Sequence, residues 1–519
     1  MSEVTNTNKP DVALDDVASV GGHQHAHTSR FTPLSIMGIA FAILNSWVAG
    51  AASLSVVLVS GGPVAMLWGF LISFVGVMCI AASMAEICAV LPCVGGPYHW
   101  TFALAPPKHR IGMAYVTGWL NTAGWICLVA TASSLGATFI INIIALFHEN
   151  YEPQPWHTFV LYVAFSIGGW LVNVFGAKLL DIIGKAVFIW SLSGAVLVCI
   201  VCLSCASPEF RSGTDVFGTF VNETGWNNFV AFMLGLLQST FSLVGTDAVA
   251  HLVLEMPRAH VNAPRAMLLA PVLGPLLTIF YQATGSKGGS TALLMFPVIC
   301  MVGAAIAILT ASSRTTQALA ADRGIPFSRF FASETKGVNV PVPAITLNTF
   351  WVIVFGCVYL GSSAALNAIL SASVVLIQLS YAAPIILLLF RGRSLLDQVS
   401  FHVGPRHFNL GKFGYVVNAW GVFFAIFTTI FFVFPSEVPV TSTSMNYTVV
   451  VAFGVVPLLA GLSWAFHGRK FYNGPRNLDL ALEIARRGLT DQDRERGMSG
   501  RSGGIVDGLS SEKKEEESV

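Results

Sequence analysis

One carboxylate and one imidazole lie inside an otherwise uncharged apolar stretch of this chain. Asp247 interrupts the stretch from Trp226 to Leu254, and His251 follows it by about one helical turn. If that stretch spans a membrane, such side chains are costly in lipid and by default face a partner or a water-filled cavity. The two residues can therefore exchange a proton or bind a charged ligand. Interhelical hydrogen bonding is the alternative for each of them.

Two further acidic residues and one lysine lie at the ends of apolar stretches. Glu86 and Glu255 lie near helix ends on the predicted cytosolic side, which predicts a salt bridge from each to a Lys or Arg of the loops. Lys185 begins another stretch and is a candidate cation for the same chemistry as Asp247. A lysine whose ammonium group extends to the membrane surface is the alternative.

No metal, cofactor or covalent chemistry is predicted. The cysteines from Cys199 to Cys205 have metal-like spacing but lie on an uncharged helix without partner histidines. The histidines from His23 to His27 lie in a polar tail. The sequence contains no nucleophile elbow, paired metal ligands or phosphate loop, which argues against an enzyme. It also lacks the repeated ring of groups that lines a channel.

Long apolar helices are the elements that carry these residues. Hydrophobic residues make up 54% of the 519 residues and charged residues 11%, whereas soluble domains carry about 25% charged residues. Uncharged stretches of the length that crosses a bilayer follow one another from Leu34 to Phe466. We therefore predict an all-α integral membrane protein whose main partner is the lipid bilayer. The net charge of +1 gives no reason to expect nucleic-acid binding.

The number of spans depends on one weak segment, Ala266 to Ser286, which is uncharged but contains two prolines. If it spans, Arg211 and Lys287 lie on one side of the membrane. All the other Lys and Arg residues between Lys9 and Lys412 then lie on the opposite side. Cytosolic loops collect Lys and Arg. The distribution therefore predicts about twelve spans with both termini in the cytosol.

Polar tails flank the membrane domain. We predict a disordered cytosolic N-terminal tail over residues 1–33, a membrane domain over residues 34–467 and a largely disordered cytosolic C-terminal tail over residues 468–519. The N-terminal tail lacks the apolar core of a signal peptide. Asn222 and Asn446 begin sequons on the predicted outer side and are candidate glycosylation sites.

Small and polar residues interrupt two of the spans. The first span carries such a run from Asn45 to Ser53, and the sixth carries another from Ser242 to Asp247. Unwound segments survive in lipid only where they line a cavity, and there they expose backbone groups to ligands. Breaks five spans apart are expected of two inverted five-helix repeats around a shared site. Close helix packing is the alternative for Gly50.

A series of different short motifs is distributed along nearly the whole membrane domain. They include Asn-Ser-Trp at 45–47, Gly-Gly-Pro-Tyr at 95–98, Gly-Thr-Asp at 245–247, Glu-Met-Pro at 255–257 and Gly-Ile-Pro-Phe-Ser at 324–328. The set resembles the fungal GABA, amino acid and choline permeases of the amino acid-polyamine-organocation (APC) superfamily. That resemblance implies a leucine-transporter-like fold of five plus five inverted repeats and two C-terminal helices. Family members carry a longer seventh-helix region, so we expect a distorted, partly inserted segment here.

The resemblance also implies a substrate site between the two interrupted helices and their neighbours. Free N–H groups near Gly50 to Ser53 would suit a substrate carboxylate, and carbonyls near Val244 would suit an ammonium group. Asp247, His251 and Lys185 are the candidates for proton coupling. The residues implied as substrate contacts are Asn45, Ser46, Trp47, Gly50, Ala51, Ala52, Asn121, Trp125, Gly245, Thr246, Asp247, His251 and Ser312.

On this resemblance we expect a secondary active transporter that imports a small amine-bearing solute, an amino acid or GABA, together with protons. Choline is the alternative substrate. Thr246 stands where the family commonly has an aromatic residue, which predicts an altered pocket. The short seventh-helix region leaves a non-transporting nutrient sensor or an inactive relative as the alternative of another class. The plasma membrane is the expected location, and the vacuolar membrane is the alternative.

Overall fold

The computed structural model of the chain is a bundle of α-helices. It describes residues 33–148, 150–207, 212–256, 258–273, 287–335, 340–360, 365–400, 407–441, 445–476 and 478. Within these ranges there is no β-strand. Two isolated bridges pair Ser60 with Asn222 and Thr335 with Val340. The predicted all-α class is confirmed.

The helices follow the apolar stretches of the sequence. Ten helical segments of the described ranges are long and apolar enough to cross a bilayer, and Val342–Gly356 is a shorter apolar helix. The count of twelve spans stays a prediction. The helices are α1 Pro33–Leu44, α2 Ser46–Ala52, α3 Leu54–Val59, α4 Gly62–Val90, α5 Pro97–Leu104, α6 Arg110–Phe147, α7 Pro155–Phe175, α8 Leu180–Ala206, α9 Gly213–Gly218, α10 Asn228–Phe241, α11 Ala259–Leu273, α12 Lys287–Ala321, α13 Ser328–Phe331, α14 Val342–Gly356, α15 Ala365–Arg391, α16 Leu395–Gln398, α17 Gly414–Phe432, α18 Val456–Ser463 and α19 Arg469–Phe471.

The first span is interrupted at both ends of its polar run. Asn45 has φ 36° and ψ 47° and separates α1 from α2. Non-glycine residues rarely adopt this left-handed conformation, but Asn adopts it more readily than most. Ser53, with φ −100° and ψ 15°, separates α2 from α3. The span therefore consists of three short helices instead of one.

The sixth span changes geometry after α10. Residues 242–244 form a turn, Gly245 has φ 99°, and a 3-10 helix follows over Thr246–Glu255. Glycine is favoured at position 245 because an L-residue is strained at this φ. A Cβ at Gly245 would lie 3.2 Å from Ile43 Cγ2 of α1. The interruption of the sixth span therefore lies directly against the first span.

Glycines also allow α1 to approach α8 closely. A Cβ at Gly38 would lie only 2.7 Å from the carbonyl oxygen of Gly184. Small residues at helix crossings permit such backbone contact in membranes. The contact fixes the first span against the fifth at the end of α1 that precedes the interruption.

Helix α11 occupies part of the region where the seventh span was expected. It contains Pro264 and Pro271 and packs against α1 and α4. Ala263, Met267 and Ala270 are buried at helical spacing and form one face. Residues 274–286, the remainder of the predicted seventh segment, lie outside the described ranges.

The chain after α19 folds back onto the bundle. The carboxylate of Asp322, just beyond α12, accepts from the backbone N–H of Arg476 at 2.7 Å. It also accepts from the Tyr98 hydroxyl of α5 at 2.8 Å and contacts His99 Nε2 at 2.9 Å. Tyr472 is buried beside them. The C-terminal end of α12, the start of α5 and the chain after α19 therefore lie at the same end of the bundle.

Candidate functional site

Asp247 is fully buried at the start of the 3-10 helix, and four side chains surround its carboxylate. Oδ2 accepts from Asn121 Nδ2 at 3.1 Å and from Trp125 Nε1 at 3.3 Å. These two residues lie four apart on α6 and so share one face. Tyr381 of α15 donates its hydroxyl to Oδ1, and His251 Nε2 lies 3.0 Å from Oδ2. The carboxylate therefore connects α6 and α15 to the sixth span.

Both ring nitrogens of His251 face an oxygen atom. Nε2 contacts Asp247 Oδ2, and Nδ1 lies 2.7 Å from the carbonyl oxygen of Val94, in the segment between α4 and α5. The imidazole is fully buried, and a Cβ at Gly96, whose φ is 52°, would lie 3.0 Å from its Cε1 atom. His251 therefore connects the buried carboxylate to the segment that leads into α5.

The polar residues at the first interruption are bonded to α8. Trp47 Nε1 donates to Ser191 Oγ at 2.8 Å, and Ser191 donates to Asn45 Oδ1 at 3.0 Å. All three side chains are buried. This chain of hydrogen bonds stabilises the left-handed conformation of Asn45 and orients the indole N–H of Trp47 towards α8.

Four polar atoms of the predicted site are buried without a hydrogen-bond partner among the residues that the structure describes. They are Asn45 Nδ2, Ser46 Oγ, Asn121 Oδ1 and Thr246 Oγ1. An unpaired buried polar group costs about 1–3 kcal/mol, and such groups in native proteins are usually satisfied by protein atoms or ordered water. The four atoms are one amide donor, one amide acceptor and two hydroxyls.

The backbone near Gly50 does not provide the free N–H groups that we expected between Gly50 and Ser53. Residues 46–52 stay helical, and the Ser53 N–H donates to the Ala49 carbonyl at 3.1 Å. The Gly50 carbonyl accepts from Gln238 Nε2 of α10 at 2.8 Å. A polar contact does join the two interrupted spans here, but it uses a carbonyl group and a side chain of the sixth span.

Four other predicted site residues lie apart from the Asp247 contacts. Ser312 Oγ accepts from Asn348 Nδ2 of α14 at 2.8 Å. Lys185 Nζ pairs with Asp181 Oδ2 at 2.6 Å, one turn earlier on α8. Ala51 and Ala52 are half-buried on α2. The position of Lys185 is that of a partly exposed lysine in a local ion pair.

Sequence reasoning missed three contributors to this region, Tyr381, Gln238 and Val94. Tyr381 and Gln238 are polar side chains within apolar helices, and that signal could have identified them. Val94 contributes a backbone carbonyl, for which the sequence holds no signal. The structure brings all three to residues that the sequence did identify.

The two predicted salt bridges are confirmed. Glu255 Oε1 accepts from Arg314 Nε of α12 at 2.9 Å. Glu86 Oε1 accepts from Arg393 Nη2 at 2.5 Å and from the Leu410 N–H at 3.1 Å. Glu86 and Arg393 are both buried away from water, so their ion pair compensates charge that water cannot reach.

The remaining candidates concern metals and carbohydrate. No group of three or more potential metal ligands occurs within the described ranges. Residues 23–27 lie outside those ranges.

Asn222 Nδ2 donates to Trp226 and Asn228, and Asn446 Nδ2 donates to two backbone carbonyls. A carbohydrate on either nitrogen would displace one of these bonds, and glycosylation stays a prediction.

The chain is similar to known proteins of one family. A family model described as amino acid permease matches residues 34–274 and 270–455. The two matches cover most of the membrane domain and meet at 270–274. That junction lies in the shortened seventh-helix region.

Individual relatives align over nearly their whole length. A choline transporter of Saccharomyces cerevisiae is 30% identical over 494 residues, which cover 89% of this chain and 86% of the relative. An uncharacterised amino-acid permease of Schizosaccharomyces pombe is 31% identical, with 89% and 90% covered. An amino-acid permease of Arabidopsis thaliana is 28% identical, with 88% and 94% covered. The chain therefore belongs to the amino acid permease family of the APC superfamily and is a membrane transporter of small organic solutes, not an enzyme.

Proposed function

We propose that this chain imports a small amine-bearing solute, an amino acid or GABA, together with protons by alternating access. The observation that carries the proposal is the environment of His251, whose two ring nitrogens both face oxygen atoms inside the bundle. Similarity to amino-acid permeases supports the substrate class. The distribution of Lys and Arg supports a membrane protein with both termini in the cytosol, and the plasma membrane is the proposed location.

The hydrogen-bond geometry supports a count of two protons on the pair. The Val94 carbonyl can only accept, so His251 Nδ1 carries a proton. A second proton must lie between His251 Nε2 and Asp247 Oδ2, on one atom or the other. The pair therefore holds two protons and has no net charge. It is in the proton-loaded state.

Release of one of these protons disrupts the arrangement. A bare ring nitrogen would then face either the Val94 carbonyl or the Asp247 carboxylate, and the pair would carry a buried negative charge. Tyr381 donates to the same Asp247 carboxylate. Glu255, four residues after His251, forms an ion pair with Arg314. Because Val94 immediately precedes α5, proton loss would free that segment from the sixth span. This link couples the proton to a conformational change.

The solute would lie between the two interruptions, where Asn45, Ser46, Asn121 and Thr246 present unpaired polar atoms within the described structure. Carboxamide and hydroxyl groups can bind both the amino and the carboxylate groups of an amino acid. Choline is the second candidate, which the similarity to a choline transporter supports. Its quaternary ammonium group would bind to aromatic faces such as that of Trp125.

A function of another class is supported by the shortened region alone. The family match divides at residues 270–274, within the segment that the resemblance to fungal permeases predicts to be shorter than a complete seventh-helix region. A nutrient sensor that binds the solute without moving it is therefore the alternative.

Uptake into vesicles tests these proposals. Purified full-length protein is reconstituted into phosphatidylcholine vesicles with an alkaline interior, and labelled amino acids, GABA and choline are supplied outside. We expect accumulation of an amino acid or GABA that collapses when a protonophore is added. Accumulation that is unaffected by the protonophore would contradict proton coupling. Binding without accumulation would favour the sensor, and preferential accumulation of choline would replace the proposed substrate.

A further inference from the structure

The last span stands apart from the rest of the bundle. It runs over Val450–Phe471 and is the least buried of the ten candidate spans. π-Helical turns at Val450–Val455 and Trp464–Gly468 flank α18 on both sides. Tyr115 of α6 contacts it by ring packing on Trp464 at 4.8 Å. Because little of the last span is buried against other helices, there is space between it and the rest of the bundle.

That space is a crevice of about 590 Å³ between the last span and helices α6, α12 and α14. Its lining is almost entirely apolar and includes Ala123, Ile126, Leu347, Trp351 and Leu459. The surrounding solvent at this depth is lipid hydrocarbon. An apolar crevice open to lipid is therefore filled by a hydrocarbon chain and not by water.

The length of the crevice matches one leaflet of the bilayer. Along the last span it extends from Val455 to Phe466, twelve residues whose eleven steps rise about 16 Å in a helix. Half of a hydrocarbon core of about 30 Å is about 15 Å. Phe327 and Phe466 stand at its mouth with 80% and 77% of their surface exposed. The crevice therefore suits an acyl chain that enters from one side of the membrane.

Four cations lie within four residues, along the chain, of the two phenylalanines at that mouth. Arg323 and Arg329 lie in the segment around Phe327, and Arg469 and Lys470 follow Phe466 at the end of the last span. The Asp322–Arg476 hydrogen bond shows that both segments are at the same end of the bundle. Among the described residues none of the four takes part in an ion pair. This end is rich in Lys and Arg, which predicts that it faces the cytosol.

We propose that the crevice binds one anionic phospholipid of the cytosolic leaflet, with an acyl chain beside α18 and the phosphate-bearing headgroup among Arg323, Arg329, Arg469 and Lys470. Basic pockets between helices on the cytosolic side are a recurrent way to bind anionic headgroups. The crevice supplies the hydrocarbon contact and the cations supply the selectivity for negative charge. This site is separate from the Asp247 region, and its test does not depend on transport.

Native mass spectrometry of the full chain tests the proposal. The protein is reconstituted into vesicles of phosphatidylcholine and phosphatidylserine at a four-to-one ratio and then extracted into mild detergent. We expect one retained phosphatidylserine per chain. The triple variant Arg323→Gln, Arg329→Gln, Arg469→Gln should lower that occupancy about a hundredfold, since each basic residue contributes about a factor of five at an anionic surface.

Two further variants make the result specific. Ala123→Phe fills the crevice without changing charge and should also abolish retention, whereas Ile167→Phe, on the exposed face of α7, should not. A matched control removes three exposed lysines elsewhere on the predicted cytosolic side, Lys108, Lys178 and Lys412, by substitution with Gln. This control should keep the lipid. Size-exclusion profiles confirm that each variant is folded.

Several outcomes would overturn the proposal. Equal retention of phosphatidylcholine would mean that the lipid is ordinary annular solvent. Retention by Ala123→Phe would mean that the headgroup binds at the surface without the crevice. Retention by the triple arginine variant would remove the role of the three arginines in holding the headgroup. A lipid-free dimer in the spectrum would mean that a second copy covers the crevice.

Discussion

Replacing Asp247 by Asn tests whether the buried pair carries the transported proton. The carboxamide cannot exchange a proton near neutral pH, but its N–H can donate to His251 Nε2 in place of the shared proton. His251 Nδ1 can then keep its bond to Val94. Asp247→Asn is therefore a permanent mimic of the proton-loaded state.

The structure sets the cost of this substitution. If the new amide N–H faces His251, it also faces the donors of Asn121 and Trp125. Asn121 retains a bond to Ser380 Oγ at 3.0 Å, whereas the Trp125 indole N–H loses its acceptor. One unpaired buried group costs about 1–3 kcal/mol. That is small enough for the variant to fold, given a typical stability of about 5–15 kcal/mol.

The functional effect should be much larger than this structural cost. One coupled proton and a pH difference of one unit supply about 1.4 kcal/mol, which supports about tenfold accumulation of the solute. In Asp247→Asn vesicles the accumulation ratio should fall from about ten to one. Exchange of internal for external solute, which needs no net proton movement, should continue within a factor of about ten of the wild-type rate.

Parallel measurements of accumulation and exchange provide the assay. Asp181→Asn is the matched control, because it makes the same substitution at a partly exposed carboxylate that pairs with Lys185. It should accumulate solute like the wild type. If Asp247→Asn still accumulates solute in response to the pH gradient, the coupling role of Asp247 is refuted. If both accumulation and exchange disappear in a folded variant, the carboxylate is needed for binding and the mimic argument fails.

Three further substitutions test the packing around the site, each by thermal stability in detergent and by uptake. Gln238→Leu should leave the Gly50 carbonyl without its donor, at a cost of about 1–3 kcal/mol, and should slow uptake because the contact joins the two interrupted spans. Arg393→Met should cost about 3–5 kcal/mol, because it breaks the buried ion pair between Arg393 and Glu86; the double variant with Glu86→Met should recover much of that loss. Gly38→Leu should destabilise the bundle, because even a Cβ there would lie 2.7 Å from a backbone oxygen of α8. Unchanged melting temperatures in these variants would contradict the respective contacts.

The membrane class, most of the helices and the ionisable pair could be predicted from the amino-acid pattern alone. These features are local, because the length of an apolar stretch and the cost of a charge in lipid do not depend on distant contacts. The polar run after Asn45 and the glycine at 245 also identified the two interruptions. The run did not show where the backbone stays helical, so the expected free N–H groups near Gly50 were misplaced.

The contacts between distant side chains and backbone groups depend on how the helices pack in three dimensions. Asp247 lies 134 residues from Tyr381, and His251 lies 157 residues from Val94. A sequence without aligned relatives carries no record of such distant pairs, and a backbone carbonyl is present at every position. The separation of the last span from the bundle is also a property of packing, since its apolar residues look the same whether they face protein or lipid. The proposed proton count of the buried pair therefore depends on tertiary contacts, because these decide which oxygen atoms the imidazole faces.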